Sequence, residues 1–330
     1  MLLTVLGTAT PYPRPGNACS GYLLQSGAGG AGETGGTEVG ATVAGTESGA
    51  DNTRGAAAST MRADATTSRA DATASRAEAT ASRAAAAAGG AVADAASARP
   101  GRTTTIWIDA GTGTLAELQR HTALDELDAI WISHRHADHS ADLLVAYYAL
   151  RFAELRPAHP IPLFGPEGLL ERLAAFLGPN SVDELPRVFD FRPLSGFGEA
   201  RIGELALSWG PVQHGVPAFG LTVDEGEDSD ARRFAYSGDS APCLSLEEIA
   251  ENADLLLIEA GYATSEAAGA DAPAHHTPED TGRTATTAGA RRLVLTHIAE
   301  TVPPAEALSR ASAHYDGPIT VAEPGTRIRI

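Results

Sequence analysis

Lysine is absent from this 330-residue chain: all 24 basic residues are arginine, set against 42 acidic ones, for a formal net charge of −18. Arginine used throughout in place of lysine is what GC-rich coding produces, and carries no functional message by itself. The shortage of positive charge does carry one. A large polyanion such as tRNA is ordinarily held by a basic patch, and no arginine cluster of that size occurs here. Cysteine is scarce too. Cys19 and Cys243 lie far apart, so there is neither a disulfide framework nor a Cys-x-x-Cys pair, as suits a reducing cytoplasm. No apolar run approaches the length of a membrane span. Met1–Gly7 lacks a basic n-region and reads as a first strand, so no signal peptide is expected. A cytoplasmic protein without a membrane partner is the expectation.

Bulky side chains are missing from one long stretch. Residues 28–101 are almost entirely Ala, Gly, Thr, Ser, Arg, Asp and Glu, with little larger than the valines near Val39 and Met61. A seven-residue unit recurs within it, as Ser68-Arg69-Ala70-Asp71, Ser75-Arg76-Ala77-Glu78 and Ser82-Arg83-Ala84. It has no large apolar residue at heptad spacing, which excludes a coiled coil, and its composition is that of a solvated linker. The segment holds eight acidic residues and six arginines, so the rest of the chain carries about −16 of the −18. The expected organisation is one large α/β domain from residues 1–27 and 102–330, interrupted by a low-complexity, disordered insert at 28–101.

What the chain does contain is concentrated in Ser133-His134-Arg135-His136-Ala137-Asp138-His139. Four potential metal ligands follow the apolar run Leu127–Ile132, which reads as a buried strand ending in a turn. A lone histidine there would pass as a surface residue. Imidazoles and a carboxylate crowded onto one turn suit a hydrolytic metal site. Three further strand-like runs also end in ligand types: Leu205–Trp209 before His214, Arg233–Ser237 before Asp239, and Arg292–Thr296 before His297.

A strand that ends in a ligand-bearing loop, four times over, resembles the metallo-β-lactamase-fold hydrolases, in the ribonuclease Z and cyclic-nucleotide phosphodiesterase branch. The resemblance covers nearly everything outside 28–101 and implies a four-layer αββα sandwich. It implies that His134, His136 and His214 hold one divalent ion and that Asp138, His139 and His297 hold another. Asp239 would bridge the two. Zinc is the expected metal, with manganese or iron(II) as alternatives. Two such ions lower the pKa of a shared water, and Asp138 would orient the resulting hydroxide for attack. Flavodiiron relatives carry glutamate where this chain has His136, so hydrolysis is expected over redox chemistry. Lactamase-type members often lack a histidine matching His139 and tend to replace the bridging aspartate by cysteine.

Secondary positions follow from the same resemblance. A His-x-Thr element precedes the last helix in this branch, and its histidine protonates the leaving oxygen. His275-His276-Thr277 places His275 in that role, with His276 as the alternative register. Glu259 in Ile258-Glu259-Ala260 would orient it. Asp109, in Ile108-Asp109-Ala110-Gly111, matches an aspartate that braces the metal turns, although a plain turn aspartate reads equally well. Cys243 reads as a small buried residue. His121, His159 and His314 have no partner spacing and read as surface or packing residues.

Around these motifs the pattern predicts strands at Met1–Leu6, Gly21–Leu24, Thr103–Ile108 and Ile161–Phe164. Helices are predicted at Leu115–His121, Ala141–Leu155 and Pro166–Leu177, the last opened by its proline. Thr277-Pro278-Glu279-Asp280 is a helix start with an N-cap hydroxyl, and Gly289 is its predicted stop.

The expected enzyme is therefore a dinuclear, metal-dependent hydrolase of a small phosphodiester such as a cyclic nucleotide. Ribonuclease Z is the main alternative. Bacterial ribonuclease Z carries a tRNA-gripping arm between the positions matching His214 and Asp239, and here that interval is only 25 residues. A sulfatase or other ester hydrolase shares the metal site, and a non-catalytic metal-binding scaffold is the remaining reading. Family members often dimerise, which leaves a homodimer open.

Overall fold

The computed structural model describes residues 1–27, 93–95, 102–155, 157–227, 231–268 and 274–330. In chain order the strands are β1 (Leu2–Ala9), β2 (Ala18–Cys19), β3 (Gly21–Gln25), β4 (Ala93–Ala95), β5 (Thr105–Ile108), β6 (Ala129–Trp131), β7 (Ile161–Pro166) and β8 (Phe189–Leu194). They continue as β9 (Gly198–Ile202), β10 (Leu205–Val212), β11 (Ala218–Glu225), β12 (Arg232–Tyr236), β13 (Leu255–Ala260), β14 (Leu293–Ile298), β15 (Ile319–Val321) and β16 (Arg327–Arg329). One sheet has the order β16-β1-β3-β5-β6-β7-β8, with β2 beside β1; the other has β15-β14-β13-β12-β11-β10-β9-β4.

The apolar runs are continuous because both faces of these strands are buried. Successive side chains point to opposite faces. Ile106 and Ile108 of β5 and Ala129 and Trp131 of β6 meet Phe234, Tyr236, Leu255 and Leu257 of the facing sheet. Trp107, Ile130 and Ile132 point the other way, under α1 (Thr114–Leu118), α3 (Asp142–Phe152) and α4 (Leu169–Leu177). Ala235, Leu256 and Ile258 do the same beneath α5 (Leu244–Ile249), α6 (Pro278–Ala288) and α7 (Pro304–Ser312). Helix, sheet, sheet, helix: the four-layer α/β sandwich follows from that alternation.

Several boundaries differ from the sequence reading for local reasons. Pro166 does not open a helix. It extends β7, opposite Leu194 of β8, and α4 starts only after Gly168 turns the chain at φ 80°. The long helix predicted at 141–155 is α3, and the short α2 (Ala137–Ser140) precedes it. The predicted helix at 278–288 stands as α6. Thr277 and Asp280 form a reciprocal capping box, and Gly289 ends the helix at φ 67°. Cys243 is half-buried, not buried, because it is the N-cap of α5 beside the hydroxyls of Ser240 and Ser245. His121 and His159 are exposed, and His314 accepts from Arg283 at 3.2 Å.

Of the insert, only Ala93–Ala95 are described, as β4 paired parallel to β9 at the edge of the second sheet. Ala-Asp-Ala has no β-branched or aromatic side chain, so nothing in the pattern marked it. The rest of 28–101, with its repeat, lies outside the described residues. The chain on either side of it meets closely. Ser26 donates its N–H to the Thr104 carbonyl at 2.9 Å, and Thr104 N–H returns to the Ser26 hydroxyl at 2.8 Å. Thus β3 and β5 are the two arms of one antiparallel hairpin.

Candidate metal centre

The histidine-rich turn leaves β6 at Trp131 and enters α2, so His134 and His136 lie on the turn and Asp138 and His139 on the helix. Close backbone packing fixes this bend. Ala110 N–H donates to the His139 carbonyl at 2.7 Å, and Ser20 N–H to the Asp138 carbonyl at 3.1 Å. A Cβ on Gly111 would lie 2.0 Å from the Asp138 carbonyl oxygen, so only glycine fits there.

Two groups of ligand atoms converge. His134 Nε2 is 3.0 Å from His136 Nδ1, which is 3.1 Å from His214 Nε2. Three imidazole nitrogens this close are near the separation of about 3.3 Å that bonds of about 2.0–2.1 Å to one tetrahedral ion impose. His214 is held for that aim by Nδ1 donating to the Ala274 carbonyl at 2.8 Å. In the second group, His297 Nε2 is 3.4 Å from Asp138 Oδ2, and His139 Nε2 is 3.8 Å from the same oxygen.

Asp239 lies between them. Its Oδ1 is 3.2 Å from His139 Nε2, and its Oδ2 is 3.4 Å from His297 Nε2 and 3.7 Å from His134 Nε2. Each of the sets His134–His136–His214, His134–His139–Asp239 and Asp138–His139–His297 could hold an ion. His139 Nε2 and Asp239 Oδ1 are buried without a hydrogen-bond partner. Buried polar atoms are normally satisfied, and donor atoms converging in this way fit a divalent cation.

The electrostatics follow from these contacts. Burial, then the neighbouring His139, holds His134 well below the usual histidine range; burial and His214 lower His136. Both therefore offer neutral lone pairs. Burial alone would raise Asp239, but His139 and His297 outweigh it and hold the carboxyl well below its ordinary range. Asp138 is lowered against its burial by the His297 hydrogen bond and by His139. His139 is raised against its burial by Asp239 and Asp109.

Asp109 is a brace, not merely a turn residue. Fully buried at the end of β5 with φ 52°, it accepts from Ser133 N–H (2.7 Å), the Ser133 hydroxyl (2.8 Å), His139 Nδ1 (2.7 Å) and the Tyr236 hydroxyl (2.7 Å). A ligand imidazole that donates its far nitrogen to a carboxylate is fixed in tautomer and orientation. His297 does not follow its strand as expected. It lies within β14 at φ 47°, where the pairing with β13 slips, and this left-handed residue turns its ring towards the site.

His275 and His276 occupy different environments. His275 Nδ1 is 2.9 Å from Glu259 Oε1 and 3.9 Å from Asp239 Oδ2, with its side chain 20% exposed. Burial alone would lower it, but the Glu259 carboxylate raises it to about 9. His276 is fully buried between the Ser240 carbonyl and the Thr284 hydroxyl, both ring nitrogens engaged, and burial lowers it. Glu259 also accepts from the N–H groups of Ser240 and Gly261. Ser133, Tyr236, Ser240 and Thr284 were invisible as site residues in the sequence, because each acts through a contact made only after folding.

Comparison with known proteins names the class. The β-lactamase superfamily domain matches residues 104–298, and the chain belongs to that superfamily; it is a metal-dependent hydrolase with the metallo-β-lactamase fold. It is 32% identical over 223 residues to an uncharacterized protein of Mycobacterium tuberculosis, covering 67% of this chain and 80% of that one. It is 28% identical over 269 residues to ribonuclease Z of Myxococcus xanthus, covering 67% and 87% respectively. The metallo-β-lactamase fold protein YhfI of Bacillus subtilis superposes with a TM-score of 0.66 at 19% identity, over 99% of both chains. Among the described residues, no helix is long and apolar enough to cross a membrane.

Proposed function

We propose that the protein hydrolyses a small phosphodiester, such as a cyclic nucleotide, with two zinc ions. One would be held by His134, His136 and His214 and the other by Asp138, His139 and His297, with Asp239 available to both. The observation that carries this reading is the simplicity of the chain between His214 and Asp239. It forms β11 and β12, paired antiparallel from Leu221↔Tyr236 to Glu225↔Arg232, and these two strands take up 13 of the 24 residues that lie between the two ligands. A donor set for two ions thus stands beside a hairpin with no length left for a tRNA-gripping arm.

When bound, such ions lower the pKa of a water between them and offset charge on the phosphoryl oxygens. The chain's own groups do the rest. Asp138 accepts a hydrogen bond from the attacking water and so aims it. His275, its Nδ1 engaged by Glu259, presents Nε2 to protonate the leaving oxygen. The buried Glu259 carboxylate keeps that imidazole charged and stationary.

A ribonuclease Z activity is the second reading, favoured by the similarity to the Myxococcus xanthus enzyme. The experiment that separates them is turnover of the zinc-loaded protein on cyclic nucleotides, a linear aryl phosphodiester, a sulfate ester and a precursor tRNA. Cleavage of the cyclic nucleotides or the aryl diester well above the rest supports the proposal. Efficient 3′ cleavage of precursor tRNA with negligible small-substrate turnover overturns it.

A further inference from the structure

Beneath the candidate metal centre, two tyrosines cross the gap between the sheets in opposite directions. Tyr22 stands on β3 of the first sheet, and its hydroxyl reaches Thr296 Oγ1 on β14 of the second, at 2.6 Å. Tyr236 stands on β12 of the second sheet, and its hydroxyl donates to Asp109 Oδ2 at the end of β5 in the first, at 2.7 Å. The two rings meet edge to face at 5.3 Å. Both are 1% exposed or less, as are Asp109 and Thr296. Polar contacts sealed in an apolar layer exclude water and alternative partners, so they hold one spacing between the sheets.

Each contact ends one step from a ligand of the same group. Asp109 takes the Nδ1–H of His139, and Thr296 precedes His297 in the chain, at the point where β14 leaves its register with β13. His139 comes from the first sheet's side and His297 from the second. Their rings lie 5.1 Å apart, on either side of Asp138 Oδ2. The geometry points to a crossed tyrosine brace, Tyr22 and Tyr236, that positions His139 and His297 across the two sheets and so sets affinity for the ion of the Asp138–His139–His297 group. The inference rests on the two-ion reading above. The His134–His136–His214 group meets the brace one contact further away, through Ser133, which links His134 to Asp109, and through the His134 ring against His139.

The test is chelator competition on Tyr22→Phe, Tyr236→Phe and Thr296→Val, with zinc content per chain and the affinity of each ion as readouts. Tyr→Phe removes one hydroxyl and keeps the ring packing, so folding is expected to survive with a melting temperature a few degrees lower. Loss of a group bonded directly to a ligand weakens metal affinity by about 10–100-fold, and these hydroxyls stand one contact further back, so the low end of that range applies. Each variant is therefore expected to hold one ion as the wild type does and to release the other at about tenfold or more lower chelator concentration. Tyr22→Phe combined with Thr296→Val should cost no more than either alone. A role confined to packing would lower the melting temperature and leave both affinities unchanged, and that result overturns the brace. Equal weakening of both ions overturns its selectivity for one group. A wild type that binds a single ion overturns the two-ion reading, and the brace with it.

Discussion

At the scale of single residues the centre is a set of donors that need a cation between them. Removing the shared carboxylate should be the most damaging change. Asp239→Ala leaves His139 Nε2 and His297 Nε2 without the oxygens 3.2 and 3.4 Å away and is expected to lose at least one ion and nearly all turnover. Elemental analysis beside a rate assay checks both; unchanged metal with near-normal turnover refutes the assignment. His275 has a different role and should fail differently. His275→Ala is expected to keep both ions and to slow turnover by about 10²-fold or more. The loss should shrink for substrates with a good leaving group, which needs little protonation. Because His275, Asp239 and His214 also lie close enough to share an ion, metal content separates a proton donor from a ligand. An equal rate loss for good and poor leaving groups would make His275 structural.

At the scale of elements, the domain is joined where the insert leaves it. Ser26 and Thr104 are already hydrogen-bonded partners, so a short Gly-containing turn can close β3 onto β5 in place of residues 28–101. That replacement removes β4, which among the described residues pairs with the edge strand β9. Metal content and turnover are expected to stay almost unchanged. A large fall in melting temperature would show that the insert packs on the domain. A second test concerns the α6–α7 contact. Arg310 of α7 grips Glu279 in the first turn of α6 with two bonds of 2.8 Å, and this pairing, working against a smaller desolvation, lowers the Glu279 carboxyl to about 2. A depressed carboxyl contributes stability above its unfolded pKa and loses it as pH falls through the folded value. Glu279→Gln should therefore lower the stability at neutral pH by the roughly 0.2–1 kcal/mol of a part-exposed pair, with a slightly lower melting temperature. The difference should fade between about pH 4.5 and pH 2. Thermal melts across that range measure it, and a constant difference at low pH contradicts the ion-pair origin.

At the scale of the whole molecule, charge and reach decide the substrate. Outside 28–101 the chain carries about −16 of the net −18, a poor surface for neutralising many phosphates. Catalysis on a small diester involves few such contacts, so kcat/KM is expected to change little between 50 and 200 mM salt. A protein making 6–10 phosphate contacts would lose about 10³–10⁵ in affinity over that range. A steep salt slope on the preferred substrate would therefore point to a polyanion.

The sequence by itself determined the chemistry and its place in the fold. Ligand types at the ends of apolar runs name a metal site at the ends of strands, because a run long enough to be a buried strand delivers its next residues to one rim of a sheet. The helix at 278–288 was legible for an equally local reason: Thr277 and Asp280 satisfy each other within four residues, and Pro278 between them needs no N–H partner. Pro166 was misread because strand pairing with β8 competes with helix initiation, and the partner strand lies more than twenty residues away. Only the tertiary structure decided which ring nitrogen of each histidine faces the centre and that Asp109 is a brace. It alone sealed His276 between Ser240 and Thr284 and left His275 partly exposed against Glu259. Those outcomes depend on two sheets meeting face to face. Contacts such as Tyr236 to Asp109 or Tyr22 to Thr296 join residues 127 and 274 apart in the chain, and no local pattern records such a pairing.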